Sequence, residues 1–255
     1  MQITLLQGLL ITIAVMIIAI DNELEGFFLF RPIIVAPIVG AILGDVKTGL
    51  MAGGLVELAF AGITPVGGVV PPNAIMAAVM TVVLAKTTGQ SVQAAFTLAY
   101  PFGLLMQYVN TVACTAYSGF NRKAEKCAAN CDIKGLNRLC GWGLLINSLL
   151  YGVVCFLSVY AMQDAMKSLV DVMPAFLTNG LSVAGGLIPA VGFAMLLRVM
   201  LKPKYVPYLI AGFLFATYIN ISNIMPVALM GVAFGLVAYF KEDKVEGADN
   251  NEEGI

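Results

Sequence analysis

The chain of 255 residues is 60% hydrophobic and only 11% charged, where a soluble domain carries roughly a quarter charged residues, so water is not the solvent for most of it. A net charge of −1 offers no basic surface for nucleic acid. The absence of histidine excludes Ser-His and Cys-His nucleophilic pairs, histidine-ligated metals and haem, and any phosphohistidine relay on this chain. The five cysteines, Cys114, Cys127, Cys131, Cys140 and Cys155, lack C-x-x-C spacing and read as ordinary thiols, with no metal or cofactor expected.

Uncharged runs cover 1–20, 58–85, 91–120, 139–162 and 205–240, each at or beyond the ~20 residues that cross a bilayer as a helix. The predicted architecture is therefore all-α: a polytopic integral membrane protein with broken or re-entrant helices. The first run has no basic n-region and leads into Asp21, Asn22, Glu23 and Glu25 rather than a small-residue cleavage site, so it reads as the first membrane helix. The acidic cluster sits either at the membrane interface or inside a re-entrant fold, where Glu25 can pair with Arg31. From Arg31 to Gly54, Pro32, Pro37, Gly40, Gly44, Asp45, Lys47, Gly49 and Gly53 interrupt the apolar stretches. Non-helical backbone at membrane depth survives only when buried in protein or lining a wet cavity, which points to re-entrant segments. The alternative is two ordinary helices sharing a Gly-rich packing face, joined by a short Asp45-Lys47 loop.

Glu57 is isolated among apolar residues, and an intramembrane carboxylate is expensive enough to need donors: sugar hydroxyls, amide N–H groups, or the free N–H groups of a broken helix. Pro71-Pro72-Asn73 follows Gly67-Gly68, which places Asn73 at or near a helix N-terminus as a cap, a ligand contact, or both. Gln107 and Asn110 lie deep in the 91–120 run within reach of one helix face, with Pro101 as a kink site. Gln107 is either a ligand contact or a helix–helix hydrogen-bonding group.

Arg122, Lys123, Lys126, Lys134 and Arg138 crowd between two apolar runs, and the positive-inside rule puts that loop in the cytoplasm. A crossing at 139–162, a polar stretch with Asp164, Lys167 and Asp171, and a return through 175–197 reach Arg198, Lys202 and Lys204, again on the cytoplasmic side. The run 205–240, interrupted by Asn220, Ser222, Asn223 and Pro226, reads as two crossings joined by a turn. A translocation domain over 1–240 then leaves 241–255 as a disordered acidic cytoplasmic tail. Thr48-Gly49-Leu50 with Ala52-Gly53-Gly54-Leu55 resembles Asn179-Gly180-Leu181 with Ala184-Gly185-Gly186-Leu187. Paired interrupted segments of this kind point to a transporter's binding site; chance similarity in a Gly- and Ala-rich chain is the alternative.

Taken in order, Phe30-Arg31-Pro32, Gly44-Asp45-Val46-Lys47-Thr48-Gly49, Gly53-Gly54-Leu55-Val56-Glu57, Pro72-Asn73, and Asn179-Gly180 with Ala184-Gly185-Gly186 resemble the IIC subunits of the mannose/sorbose phosphotransferase (PTS) family, from the first helix to about residue 240. Phe27-Phe28-Leu29-Phe30-Arg31-Pro32, Leu58-Ala59-Phe60-Ala61-Gly62, Pro71-Pro72-Asn73 and Tyr205-Val206-Pro207-Tyr208-Leu209-Ile210-Ala211-Gly212-Phe213 look most like the galactosamine and N-acetylgalactosamine branch. Mannose-type relatives tend to carry aspartate where this chain has Asn73. The resemblance implies a sugar-translocating subunit in the bacterial cytoplasmic membrane, working with a IID membrane subunit and with soluble IIA and phosphorylated IIB. It also implies assembly as a trimer of IIC–IID heterodimers, with no phosphorylation site on this chain. Asn73 and Glu57 are the expected sugar contacts and Gln107 the third, with Asp21, Glu25 and Asn179 as the alternative location. The rival readings are a mannose, glucose or sorbose specificity, an ion-coupled secondary transporter using Glu57, and a membrane scaffold without a transport path.

Overall fold

The computed structural model describes residues 2–63, 71–161, 165, 168, 170, 172–218 and 225–252, the stretch 241–252 by backbone alone. The expected all-α class is what forms. The helices are α1 (Leu5–Leu24), α2 (Pro32–Ile42), α3 (Val46–Phe60), α4 (Ala74–Thr88), α5 (Val92–Ala129), α6 (Ile133–Phe156, prolonged by a π turn Leu157–Ala161), α7 (Ala175–Met200), α8 (Val206–Tyr218) and α9 (Met225–Glu252). Pro203–Tyr205 forms a single 3-10 turn between α7 and α8, and no strand occurs among the described residues.

Three of these are long and apolar enough to cross a membrane: α1, α6 with its π turn, and α7. By contrast α2, α3 and α4 have 11, 15 and 15 residues. At ~1.5 Å per residue they span about 16–22 Å, short of a ~30 Å hydrocarbon core. The glycines and prolines of 31–54 thus produce short, broken helices, as expected, and α2 and α3 also share the Gly-rich packing face and short turn of the alternative reading. Gly44 takes the left-handed conformation (φ 71°) that closes the α2–α3 turn without a Cβ penalty. Asp45 then caps α3 by accepting from Thr48 N at 3.1 Å, and Lys86 at the end of α4 donates to its other oxygen at 3.1 Å. The hairpin closes tightly at Gly40 and Gly49: a Cβ on Gly49 would stand 2.7 Å from the Ala36 carbonyl oxygen, and one on Gly40 would stand 2.9 Å from the Gly49 Cα. Small residues here do what they do between membrane helices, letting backbones touch.

Helix α4 is the centre of the first unit. Ile75 to Ala85 are buried without interruption, against α2, α3 and α5. A helix apolar all round has no solvent face to offer and must be enclosed. Outside it α6 lies along α1, where Ser148 Oγ donates to the Met16 carbonyl at 2.9 Å and Gly152 admits the Met16 side chain.

Two expectations change. The basic stretch 122–138 is almost entirely helix: Arg122, Lys123 and Lys126 ride the end of α5, Lys134 and Arg138 the start of α6, and only 130–132 break the run. Its Ala, Lys, Arg and Glu residues are strong helix formers, and Asp132 restarts the helix by accepting from Gly135 N at 2.9 Å. The two halves of the suspected repeat also differ in setting. Residues 48–55 lie in a short hairpin helix, whereas 179–187 lie inside the uninterrupted α7, so the similarity does not encode paired broken helices.

The chain divides into units Met1–Leu196 and Leu197–Ile255. In the second, α8 packs on α9, whose backbone continues helical through the acidic stretch to Glu252. The expected turn residues Asn220, Ser222 and Asn223 lie outside the described residues, as do Gly67, Gly68, Asp164, Lys167 and Asp171.

Candidate functional site

The six candidate contact residues, Asp21, Glu25, Glu57, Asn73, Gln107 and Asn179, all lie among the described residues. Glu57, on α3, is mostly enclosed, its side chain 16% exposed; its Oε1 pairs with Arg31 Nη2 at 2.7 Å while its Oε2 accepts from the Ile33 backbone N–H at 3.2 Å. It thereby caps the N-terminus of α2, where Pro32 supplies no N–H and the following donors need a partner. Arg31 pairs with Glu57, not with Glu25. Glu25 is the exposed left-handed C-cap of α1 (φ 48°), its N–H donating to the Asp21 carbonyl at 2.7 Å. Asp21 is buried; its two oxygens accept from Phe27 N at 2.8 Å and Leu29 N at 2.6 Å. Those bonds hold a connection in which Phe28 also has positive φ (57°), a conformation a bulky side chain rarely adopts unaided. Asn179 is exposed on α7.

Asn73 is where elements converge. Its Oδ1 caps α4 by accepting from Met76 N at 2.9 Å, its backbone N–H donates to the Gly103 carbonyl of α5 at 2.9 Å, and its Nδ2 donates to Tyr151 Oη at 2.6 Å. Gly103 is needed for that approach, since a Cβ there would stand 3.0 Å from the Asn73 carbonyl oxygen. Tyr151, fully buried on α6, also accepts from Asn110 Nδ2 at 2.9 Å. Asn110 Oδ1 is buried without a hydrogen-bond partner. On α5, Gly103, Gln107 and Asn110 succeed one another at one-turn spacing along a face, which brings the half-buried Gln107 into the same neighbourhood. One turn below Tyr151, buried Asn147 donates to Oε1 of the exposed Glu23 at 2.9 Å. The outcome is a polar cluster, mostly of amides, assembled from the α4 cap, α5, α6 and the exposed end of α1, with Tyr151 and Asn147 buried at its base. Beside it Asn110, Thr111, Cys114 and Thr115 line a groove of about 340 Å³.

Tyr151 and Asn147 were not foreseen as site residues. The available signal was the Asn147-Ser148 pair preceding a tyrosine in the uncharged 139–162 run, because a buried phenol needs a hydrogen-bond partner. Amides and hydroxyls in such a cluster bind neutral polar ligands by paired donors and acceptors. No group of three or more His, Cys, Asp or Glu suited to a metal occurs among the described residues. A second cavity, about 400 Å³ between α8 and α9, is walled by Tyr205, Tyr208, Phe215, Met230 and Phe234 among others. Its lining is mainly apolar and fits a polyol poorly.

Comparison with known proteins places the chain as a whole. The family model described as PTS system sorbose-specific IIC component matches residues 5–237. N-acetylgalactosamine permease IIC component 1 of Escherichia coli (strain K12) is 54% identical over 239 residues, covering 94% of this chain and 90% of that protein. The mannose-specific EIIC component of the same organism is 30% identical, covering 93% and 89%. A solved structure described only as a membrane protein superposes with a TM-score of 0.83 at 27% identity, covering 93% of this chain and 96% of the other. The mannose transporter ManYZ in complex with microcin E492 superposes at 0.59 with 28% identity, covering 94% and 96%. Carrying this family's signature from its first helix to the end of its apolar sequence, the chain belongs to the sorbose-type IIC family of PTS permease components, multi-pass membrane proteins that work with other subunits of their phosphotransferase systems.

Proposed function

We propose that this chain translocates an amino sugar of the galactosamine or N-acetylgalactosamine class. It would act as the IIC half of a pair with a IID membrane subunit and deliver sugar to phosphorylated IIB, itself charged by IIA. The observation that carries the specificity is the contrast in similarity: 54% identity to an N-acetylgalactosamine permease against 30% to a mannose component over nearly the same residues. Asn73 is the residue we assign to sugar contact, because it sits at the convergence of three helices with an amide that keeps a second N–H and a second Oδ1 lone pair beyond its bonds to Tyr151 and Met76. Gln107, along the same face of α5, is the second. Glu57 and Asp21 fit the role of holding the two N-terminal turns that frame the path, and Glu25 and Asn179 remain outside the cluster. Residues 241–255 form the cytoplasmic tail of this reading, and a trimer of IIC–IID heterodimers its assembly.

Coupling works by capture. Phosphorylation on the cytoplasmic side removes free sugar and adds a charge that an apolar path rejects. A competition assay tests the specificity. In cells expressing this chain with its partners, N-acetylgalactosamine and galactosamine displace labelled N-acetylgalactosamine at lower concentrations than mannose, glucose or sorbose. Stronger displacement by mannose would assign the chain to the sister specificity instead.

A further inference from the structure

We propose that Asn110 and Tyr151 form a hydroxyl-binding pair in which one sugar hydroxyl is held between the Asn110 amide and the Tyr151 phenol; this rests on the sugar-translocation reading above. Tyr151 Oη accepts two N–H groups, from Asn73 and Asn110, and its own proton is donated to no acceptor among the described residues. Asn110 Oδ1 is buried and accepts nothing. One unplaced donor and one unplaced acceptor thus stand on neighbouring side chains, and buried polar groups ordinarily find partners. A hydroxyl closes both: it accepts from the Tyr151 O–H and donates to Asn110 Oδ1.

Turning the amide over leads to the same ligand. Oδ1 then takes the Tyr151 proton, and Nδ2 becomes the unpaired donor, which a hydroxyl satisfies by accepting. A carbonyl or an ammonium fits one orientation only, whereas a hydroxyl fits both. The groove beside the pair leaves little competition for that role. Thr111 Oγ1 already donates to the Gln107 carbonyl and Thr115 Oγ1 to the Thr111 carbonyl, each at 2.9 Å, so of the groove's amide and hydroxyl side chains only Asn110 has an unmatched polar atom. The contact reads a ring hydroxyl rather than the amino substituent, so N-acetylgalactosamine and galactosamine lose affinity together when it is removed.

Cys114 is exposed and lines the same groove, whereas Cys155 is buried, which provides the probe. With Cys127, Cys131 and Cys140 replaced by serine, the full chain is co-expressed with its IID partner, and maleimide labelling of this chain is followed against N-acetylgalactosamine concentration. We expect the sugar to protect Cys114, and N110A to raise the half-protecting concentration at least ~10-fold, the effect of losing one good contact, for N-acetylgalactosamine and galactosamine alike. An unchanged labelling rate without sugar shows that the groove is intact; where N110A alters it, N110S takes its place. An unchanged half-protecting concentration in both variants would overturn the proposal, as would absence of protection at sugar concentrations that saturate uptake. Protection by mannose but not by the amino sugars, still dependent on Asn110, would keep the pair and remove the amino-sugar reading.

Discussion

Glu57 and Asn73 answer one physical demand in two ways, for each meets the free N–H groups of a helix that begins inside the protein. Glu57 does so with both oxygens engaged, by Arg31 and by the Ile33 N–H, so little of it is left for a ligand. The account predicts that E57A lowers thermal stability more than R31A, because it also frees the Ile33 N–H, and that the double variant is no worse than E57A, the signature of a coupled pair. Additive losses would mean that the two residues act separately. Asn73 caps with Oδ1 and keeps Nδ2 for Tyr151. N73A should therefore reduce uptake ~10–100-fold. N73D, which retains the capping oxygen but lacks the Nδ2 donor, should assemble normally with the partner subunit yet transport poorly. Normal uptake by N73D would reduce Asn73 to a cap.

The α2–α3 hairpin shows how far element structure is readable before the fold is known. Interruption was legible, because glycine, proline and charge at 31–54 cannot sustain crossing helices; which glycine does which task was not. Gly49 faces backbone across the hairpin, while Gly54, five residues on in the same helix, has open space where a Cβ would go. G49A should force α2 and α3 apart and lower the yield of folded protein, and G54A should leave it unchanged. Measuring monodisperse protein after detergent extraction checks both; equal yields would contradict the packing described here. Glu57 was legible as a carboxylate in need of donors, but its partner was not, since the pairing with Arg31 depends on how α2 folds back on α3. Tyr151 was missed for a related reason. An aromatic residue in an apolar run reads as core, and only the placement of Asn73 and Asn110 against it reveals a polar centre. In 122–138 the charge pattern is the conspicuous signal, while the Ala, Lys, Arg and Glu content that carries it is what makes the stretch helical.

For the whole molecule, the proposed orientation rests on the positive charges around 122–138, which count whether helical or not, because the positive-inside rule weighs residues near membrane ends rather than loops. In that proposed topology an even number of crossings separates them from the tail. A cysteine placed at Lys126 and one placed at Asp249 should both escape an impermeant maleimide in intact cells and react once the membrane is opened. The central claim is that this chain moves sugar only as one part of a phosphotransferase system, and reconstitution in sealed vesicles tests it most directly. With the IID subunit and phosphorylated IIB, labelled N-acetylgalactosamine should accumulate as its phosphate, and omission of either should abolish accumulation. Concentrative uptake of unmodified sugar by this chain alone, driven by a proton or sodium gradient, would contradict it.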